Sequence, residues 1–327
     1  MPSPTTSSLI DSMGPADLQQ VIQLLKNNYI NPAALAEAEL NRAMLSGVLA
    51  RLGRGFMLLP AATANDAETV DPFYGEIMEE HVGYLRFGAL TPANLQALDA
   101  ELQKYAGKKI DAAVLDLRAS GSTNDFATAA EFAKRFAGKG KTLFTLRKAA
   151  GKQERVFTSE RDPAYQGLVL VLADEETAGP AEAIAGTLRL HTKALIIGQL
   201  TAGRAVEYSD LPLNGGRILR AAVSEAVLPE GRALFPGGLK PDLPVEMSNA
   251  DKRQIFQQSA TAGMGQFVFE NERPHLNEAA LIAGRNPEID ALEASQRRKN
   301  PEKPAPRDLV LQRALDIVTS LAIYEKR

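Results

Sequence analysis

The sequence predicts an α/β protein: a core with a mostly parallel sheet, flanked by an N-terminal helical hairpin and by C-terminal helices. Three observations carry this. Between Val82 and Glu246, short apolar runs alternate with stretches of helical periodicity, the pattern of βαβ crossovers. Ahead of them, two runs repeat apolar residues at helical spacing, and beyond Asn249 helical character returns. The expected organisation is a mobile N-terminus (1–14), a helical segment (15–60), the α/β core (73–248) and a C-terminal helical region (249–327).

Residues 1–14 are rich in Ser, Thr and Pro, so structure is expected to start near Pro15, which suits a first helical turn. Leu18, Val21, Ile22, Leu24 and Leu25 make one helix; a second begins at Asn31-Pro32 and stops at Gly53. Residues 61–72 are small and polar, as in a linker. A strand at 82–87 leads through Thr91-Pro92 into a helix lined by Leu95, Leu98 and Leu102. A buried strand follows at 112–117, then a turn at 118–124 and a helix at 125–136. Residues 142–147 and 155–158 read as a strand pair. The stretch from Leu168 to Tyr208 runs strand, polar turn, helix, strand and Gly-containing turn, the layout of an α/β active site. A strand at 218–227 and a Gly- and Pro-rich tract at 228–246 precede helices at 251–258, 277–283, 287–298 and 309–324.

A formal charge of −3 gives no field that would gather nucleic acid, so no nucleic-acid partner is expected. The absence of Cys excludes disulfides, thiolate chemistry and Cys-ligated metals. No His/Asp/Glu spacing suggests a metal, and no cofactor motif is present; His81, His191 and His275 are scattered, with a structural role expected for His191. No apolar stretch approaches the roughly 20 residues of a membrane span. The start MPSPTTSSLIDSMG lacks the basic region and apolar run of a signal peptide.

The turn DEETAGP (174–180) lies between a buried strand and a helix N-terminus, where unsatisfied backbone N–H groups attract negative charge or a developing oxyanion. The residues by themselves favour a capped loop with Thr177 as the cap, its acidic run Asp174-Glu175-Glu176 being solvated.

Five pieces in order carry a resemblance: LQQVIQLLKNNYINPAALAEAELNRAMLSGVLARL, VGYLRFGALTPANLQALDAELQKY, AAVLDLR, LVLVLADEETAGPAEAIAGTL with ALIIGQLTAGRAV, and LPEGRALFPGGLKPDLPV. Over about Leu18 to Glu246 the chain resembles the C-terminal processing peptidases, or tail-specific proteases. The resemblance implies a ClpP/crotonase-like core, and a mechanism in which a Ser attacks the peptide carbonyl, a Lys serves as base and a Gln orients the Lys. It places those three positions at Gly179, Arg204 and Tyr208, and the family's Ser-to-Lys separation of 25 residues is kept. Gly carries no nucleophile, and Arg stays protonated. The family's Asn-Pro-Gly-Gly oxyanion loop becomes Ala119-Ser120-Gly121-Ser122-Thr123, and the roughly thirty residues from Phe56 to Gly83 leave no room for its peptide-binding PDZ module.

The expected function is therefore a tail-specific-protease-like protein that has lost peptidase activity and keeps a peptide cleft at Gly121, Thr177, Ala178 and Arg204, with Arg204 holding a C-terminal carboxylate or acidic side chain. Two alternatives stand beside it. One is an active peptidase with relocated residues, Thr177 or Ser122 attacking, with Ser120 and Lys240 as further actors. The other is a scaffold that forms a homodimer through its helical ends, 15–52 and 309–324, as the resemblance implies. The resemblance also implies an extracytoplasmic location.

Overall fold

A computed structural model describes residues 6–60, 71–120, 124–148, 154–268 and 306–325. The chain divides into two compact units, Met1–Leu58 and Leu59–Arg327.

The first unit contains α1 (Thr6–Asp11), α2 (Pro15–Asn28) and α3 (Glu37–Leu52). Helix α1 forms within the stretch expected to precede structure. Pro15 starts α2 as expected, with Asp17 accepting the Gly14 N–H at 2.8 Å. The second helix starts later than Asn31-Pro32 predicts, because Pro32–Leu35 form a separate 3₁₀ turn; Gly53, at φ 54°, ends it. Neither α2 nor α3 has a buried residue, and Leu24, Leu25, Leu45 and Leu49 are exposed. A short strand, β1 (Phe56–Leu59), follows.

In the second unit, β2 (Tyr74–Met78), β3 (Val82–Arg86), α4 (Pro92–Ala106), β4 (Ala112–Asp116), α5 (Phe126–Ala133), β5 (Thr142–Lys148) and β6 (Glu154–Thr158) come first. They are followed by β7 (Leu168–Ala173), α6 (Pro180–Thr192), β8 (Leu195–Gly198), β9 (Val206–Pro212), β10 (Ile218–Val227), β11 (Leu243–Pro244), α7 (Asn249–Ala262) and α8 (Leu309–Glu325). Strands β11, β8, β7, β4 and β3 lie side by side in parallel, with β2 antiparallel at the edge. The mostly parallel sheet is thus present. Strands β9, β10, β5 and β6 pair antiparallel in a second sheet, and the expected hairpin of β5 and β6 lies within it.

Successive side chains of a strand point to opposite faces, and both faces of the parallel sheet are covered. Leu85, Ala113, Leu115, Val169 and Val171 pack with Leu98 and Leu102 of α4, Phe132 of α5 and Ile184 and Leu188 of α6. Tyr84, Val114, Leu170 and Leu172 face the other way, against Ile255 of α7 and Val310, Leu311, Ala314 and Leu315 of α8. Each fully buried Val, Leu, Ile or Phe side chain among them contributes about 1.5–3 kcal/mol. Both surfaces being apolar explains why these strands read as unbroken hydrophobic runs. Strands β1, β2, β9 and β11 escape that reading because they are short or half-exposed. The helices expected at 277–283 and 287–298 lie outside the described residues.

Candidate functional site

Strand β7 delivers the chain to the turn 174–179 and α6 carries it away. Gly179, the residue before α6, has φ 58° and ψ −125°, a conformation that a side-chain-bearing residue adopts only under strain. A sharp strand-to-helix turn of this kind presents the nucleophile in enzymes with a nucleophile elbow. Here the position carries no side chain.

Glu182, on the first turn of α6, is fully buried and joins this turn to the loop 201–204. Its Oε2 accepts the Gly179 N–H at 3.1 Å and the Arg204 N–H at 2.7 Å. Its Oε1 accepts the Gly203 N–H at 2.7 Å and the Thr201 hydroxyl at 2.5 Å. One carboxylate therefore brings together the two positions, 179 and 204, that the resemblance pairs. Burial pushes the Glu182 carboxyl above its ordinary value, and the four donors pull the other way. The Ala202 N–H donates to Thr177 O at 2.9 Å, a second tie between the segments. At Gly203, φ is 62° and a Cβ would lie 2.1 Å from Pro236 O, so only glycine fits.

The Arg204 guanidinium is exposed and has no ion-pair or hydrogen-bond partner among the described residues. Tyr208 lies on β9 opposite Ala222 and lines a cavity of about 340 Å³ with Asn124, Lys148 and Arg155. Thr177 is fully buried: its hydroxyl donates to Leu117 O at 3.2 Å and accepts the Asp174 N–H at 3.0 Å, which stitches the turn to the end of β4. Ala178 is buried too. Of the expected cleft residues, Arg204 presents an exposed side chain, while Gly121 and Ser122 lie outside the described residues. Ser120 is buried with its hydroxyl unpartnered among the described residues, and Lys240 is exposed. Nε2 of His191 lies 2.6 Å from Thr142 O, tying α6 to β5 in the structural role expected of it; His275 lies outside the described residues.

The acidic run is not the solvated turn that sequence suggests. Asp174 is buried and paired with the ammonium of Lys252 on α7, which also donates to Glu176 at 2.8 Å. Arg253 adds a 2.5 Å contact to Glu176, and Glu175 accepts from Asn249 at 2.6 Å. Burial raises the Asp174 carboxyl despite Lys252.

Behind it lies a network that sequence reasoning missed. Arg118, fully buried, donates to Asp116 at 2.9 Å and 2.6 Å and to Asp308 at 3.0 Å and 2.7 Å. The Tyr84 hydroxyl donates to Asp116 at 2.7 Å. Burial alone would raise the Asp116 carboxyl; Arg118 and Tyr84 reverse this and hold it below the usual range. The signal was present as an Asp and an Arg closing the apolar run AAVLDLR. Among the described residues no cluster of three or more potential ligands is arranged for a metal ion, and no helix is long and apolar enough to cross a membrane.

Comparison with known proteins agrees with this architecture. The carboxy-terminal-processing protease of Bartonella bacilliformis is 29% identical over 180 residues, which are 54% of this chain and 41% of that protein. A probable CtpA-like serine protease of Staphylococcus aureus is 26% identical over 179 residues, 54% of this chain and 35% of that protein. The chain thus spans less than half the length of these curated relatives. A putative peptidase from Parabacteroides merdae shares the fold at 13% identity, with a TM-score of 0.55 over 88% of this chain and 90% of that one. Residues 81–245 match the model of peptidase family S41. That span takes in the parallel sheet, the Gly179 turn and the Glu182 clamp, and the chain belongs to peptidase family S41.

Proposed function

We propose that this chain is a tail-specific-protease-type protein without proteolytic activity, whose exposed Arg204 contacts the carboxylate of a peptide or protein partner. The observation that carries the reading is the pairing of a side-chain-free elbow at Gly179 with an arginine at 204, both held to Glu182. A serine-type mechanism needs a hydroxyl nucleophile and a group able to accept its proton; glycine has no hydroxyl and a guanidinium keeps its protons at any ordinary pH. The same guanidinium, without a partner among the described residues, suits a planar carboxylate.

Hydrolysis of casein and of a peptide with a free C-terminal tail is the direct test. No turnover is expected from the native sequence. Turnover that disappears on substituting Ser120, Ser122 or Thr177 would overturn the reading in favour of a relocated nucleophile, and labelling by a fluorophosphonate probe would identify which hydroxyl attacks. The triple change Gly179→Ser, Arg204→Lys and Tyr208→Gln asks whether the scaffold remains competent, and gain of measurable hydrolysis is the expected result.

A scaffold role has its own support in the exposed apolar side chains of α2 and α3. The two roles are compatible, because association through these helices requires no chemistry at Gly179.

A further inference from the structure

Arg86, the last residue of β3, is 6% exposed. Its Nη1 donates to Ser259 Oγ at 3.2 Å, and its Cζ lies 4.2 Å from the ring centre of Phe256 and 4.9 Å from that of Tyr74. Among the described residues it makes no ion pair, and its Nε and Nη2 have no protein acceptor. The polar side-chain atoms that are both enclosed and unpartnered there belong to Tyr105 and Ser120, so the free donors of Arg86 keep access to open space. Arg86 lines a cavity of about 520 Å³, together with Arg118, Lys252, Arg253, Phe256 and Ala260. That volume falls within the about 300–1,000 Å³ typical of small-molecule sites.

The other three cations around the cavity are already engaged. Arg118 is held by Asp116 and Asp308, Lys252 by Asp174 and Glu176, and Arg253 by Glu176. The carboxylates Asp71, Asp116, Asp174, Glu176 and Asp308 outnumber the cations Arg86, Arg118, Lys252 and Arg253 by one, so the site holds no surplus positive charge. Asp71 and Glu176 also line it. A phosphate dianion would meet those two carboxylates with no excess charge to offset them. What Arg86 lacks is acceptors: a nearly buried fork of N–H groups is unfavourable until they are hydrogen-bonded. A planar monoanion satisfies two of them at once. Beside the fork, Pro72, Ala119, Phe256 and Ala260 give the wall an apolar surface.

We infer that this cavity binds a small organic monocarboxylate, its carboxylate seated on Arg86 and its apolar body resting on Phe256. Neither Gly179 nor Arg204 lines the cavity, so the inference stands whether or not the peptidase site is active.

Calorimetric titration of the full chain with benzoate and with hexanoate tests it. Saturable binding with a dissociation constant of about 1 mM or below is expected, with no response to inorganic phosphate or to benzamide. Arg86→Gln is expected to weaken binding at least tenfold. Should that variant fold poorly, Ala260→Phe, on the exposed face of α7, narrows the mouth and is expected to do the same. A tripeptide with a free C-terminus, run beside its amide, distinguishes the two sources of such a carboxylate: if the free tripeptide saturates at lower concentration than benzoate, the natural ligand is a chain end, and otherwise a free acid. Absence of saturation by every carboxylate, an equal response to phosphate or benzamide, or binding retained in both variants would overturn the inference.

Discussion

Gly179 separates what two neighbouring residues contribute to one turn: its backbone makes the strand-to-helix corner, while Glu182 supplies the atoms that hold it. Gly179→Ala is expected to cost about 1–3 kcal/mol, because a Cβ must adopt a positive φ, and urea unfolding measures it. Glu182→Gln should cost about 2–3 kcal/mol, since an amide nitrogen would face N–H groups that now donate to a carboxylate oxygen. An unchanged midpoint for Glu182→Gln would remove Glu182 as the clamp. For Asp116, whose folded carboxyl lies below its ordinary value of 3.8, the sign of the pH dependence is fixed. The unfolded state takes up the proton first as pH falls, so this residue's contribution is present above pH 3.8 and is lost below it. Unfolding free energies between pH 6 and about pH 3 should fall less steeply in Asp116→Asn than in the native chain. A parallel decline would show that other carboxyls govern acid stability. At this scale the resemblance to the C-terminal processing peptidases singled out Gly179 and Arg204. The sequence did not reveal that Asp174 is buried, because its counter-charge, Lys252, lies 78 residues further along.

Helices α7 and α8 illustrate the element scale. Helix α7 runs over Asn249–Ala262 where a shorter helix at 251–258 was expected, while apolar periodicity made α8 legible, at Leu309–Glu325 against an expected 309–324. What periodicity could not supply was the residue that anchors it. Asp308 precedes the helix, accepts the Leu311 N–H at 2.9 Å and makes a double contact with Arg118, so one side chain caps α8 and completes the network at the end of β4. Removing it leaves Arg118 buried with half of its partners. Asp308→Ala should therefore cost about 3–5 kcal/mol, against a few tenths for Gln312→Ala on the outer face. Hydrogen exchange followed by mass spectrometry should show protection lost first across 309–325, with β4 and β7 still protected. Equal loss in both places would mean that α8 and the sheet open as one unit.

For the whole molecule, the two units differ in what they bury. Leu59–Arg327 has apolar cores on both faces of its sheet, whereas α2 and α3 have no buried residue. Exposed Leu24, Leu25, Leu45 and Leu49 make self-association through these helices the expected behaviour. Leu25→Glu with Leu49→Glu should convert a dimer into a monomer by light scattering, with unchanged far-ultraviolet circular dichroism. A monomeric native chain would remove the expectation. By itself the sequence determined the α/β class and the order of the parallel strands' segments along the chain, whereas positions 179 and 204 were singled out by its resemblance to the C-terminal processing peptidases. Apolar periodicity and local spacing are properties of neighbouring residues, and a buried strand or a capped turn leaves its mark there. Only the tertiary structure decided that Glu182 joins the two positions, that Thr177 is a buried stitch, that Asp174 and Arg118 sit in charge networks closed by α7 and α8, and that Arg86 opens onto a cavity. Each of these depends on groups brought together from distant parts of the chain, and the burial that turns a surface charge into a paired one exists only after the sheet and its two helical layers have closed.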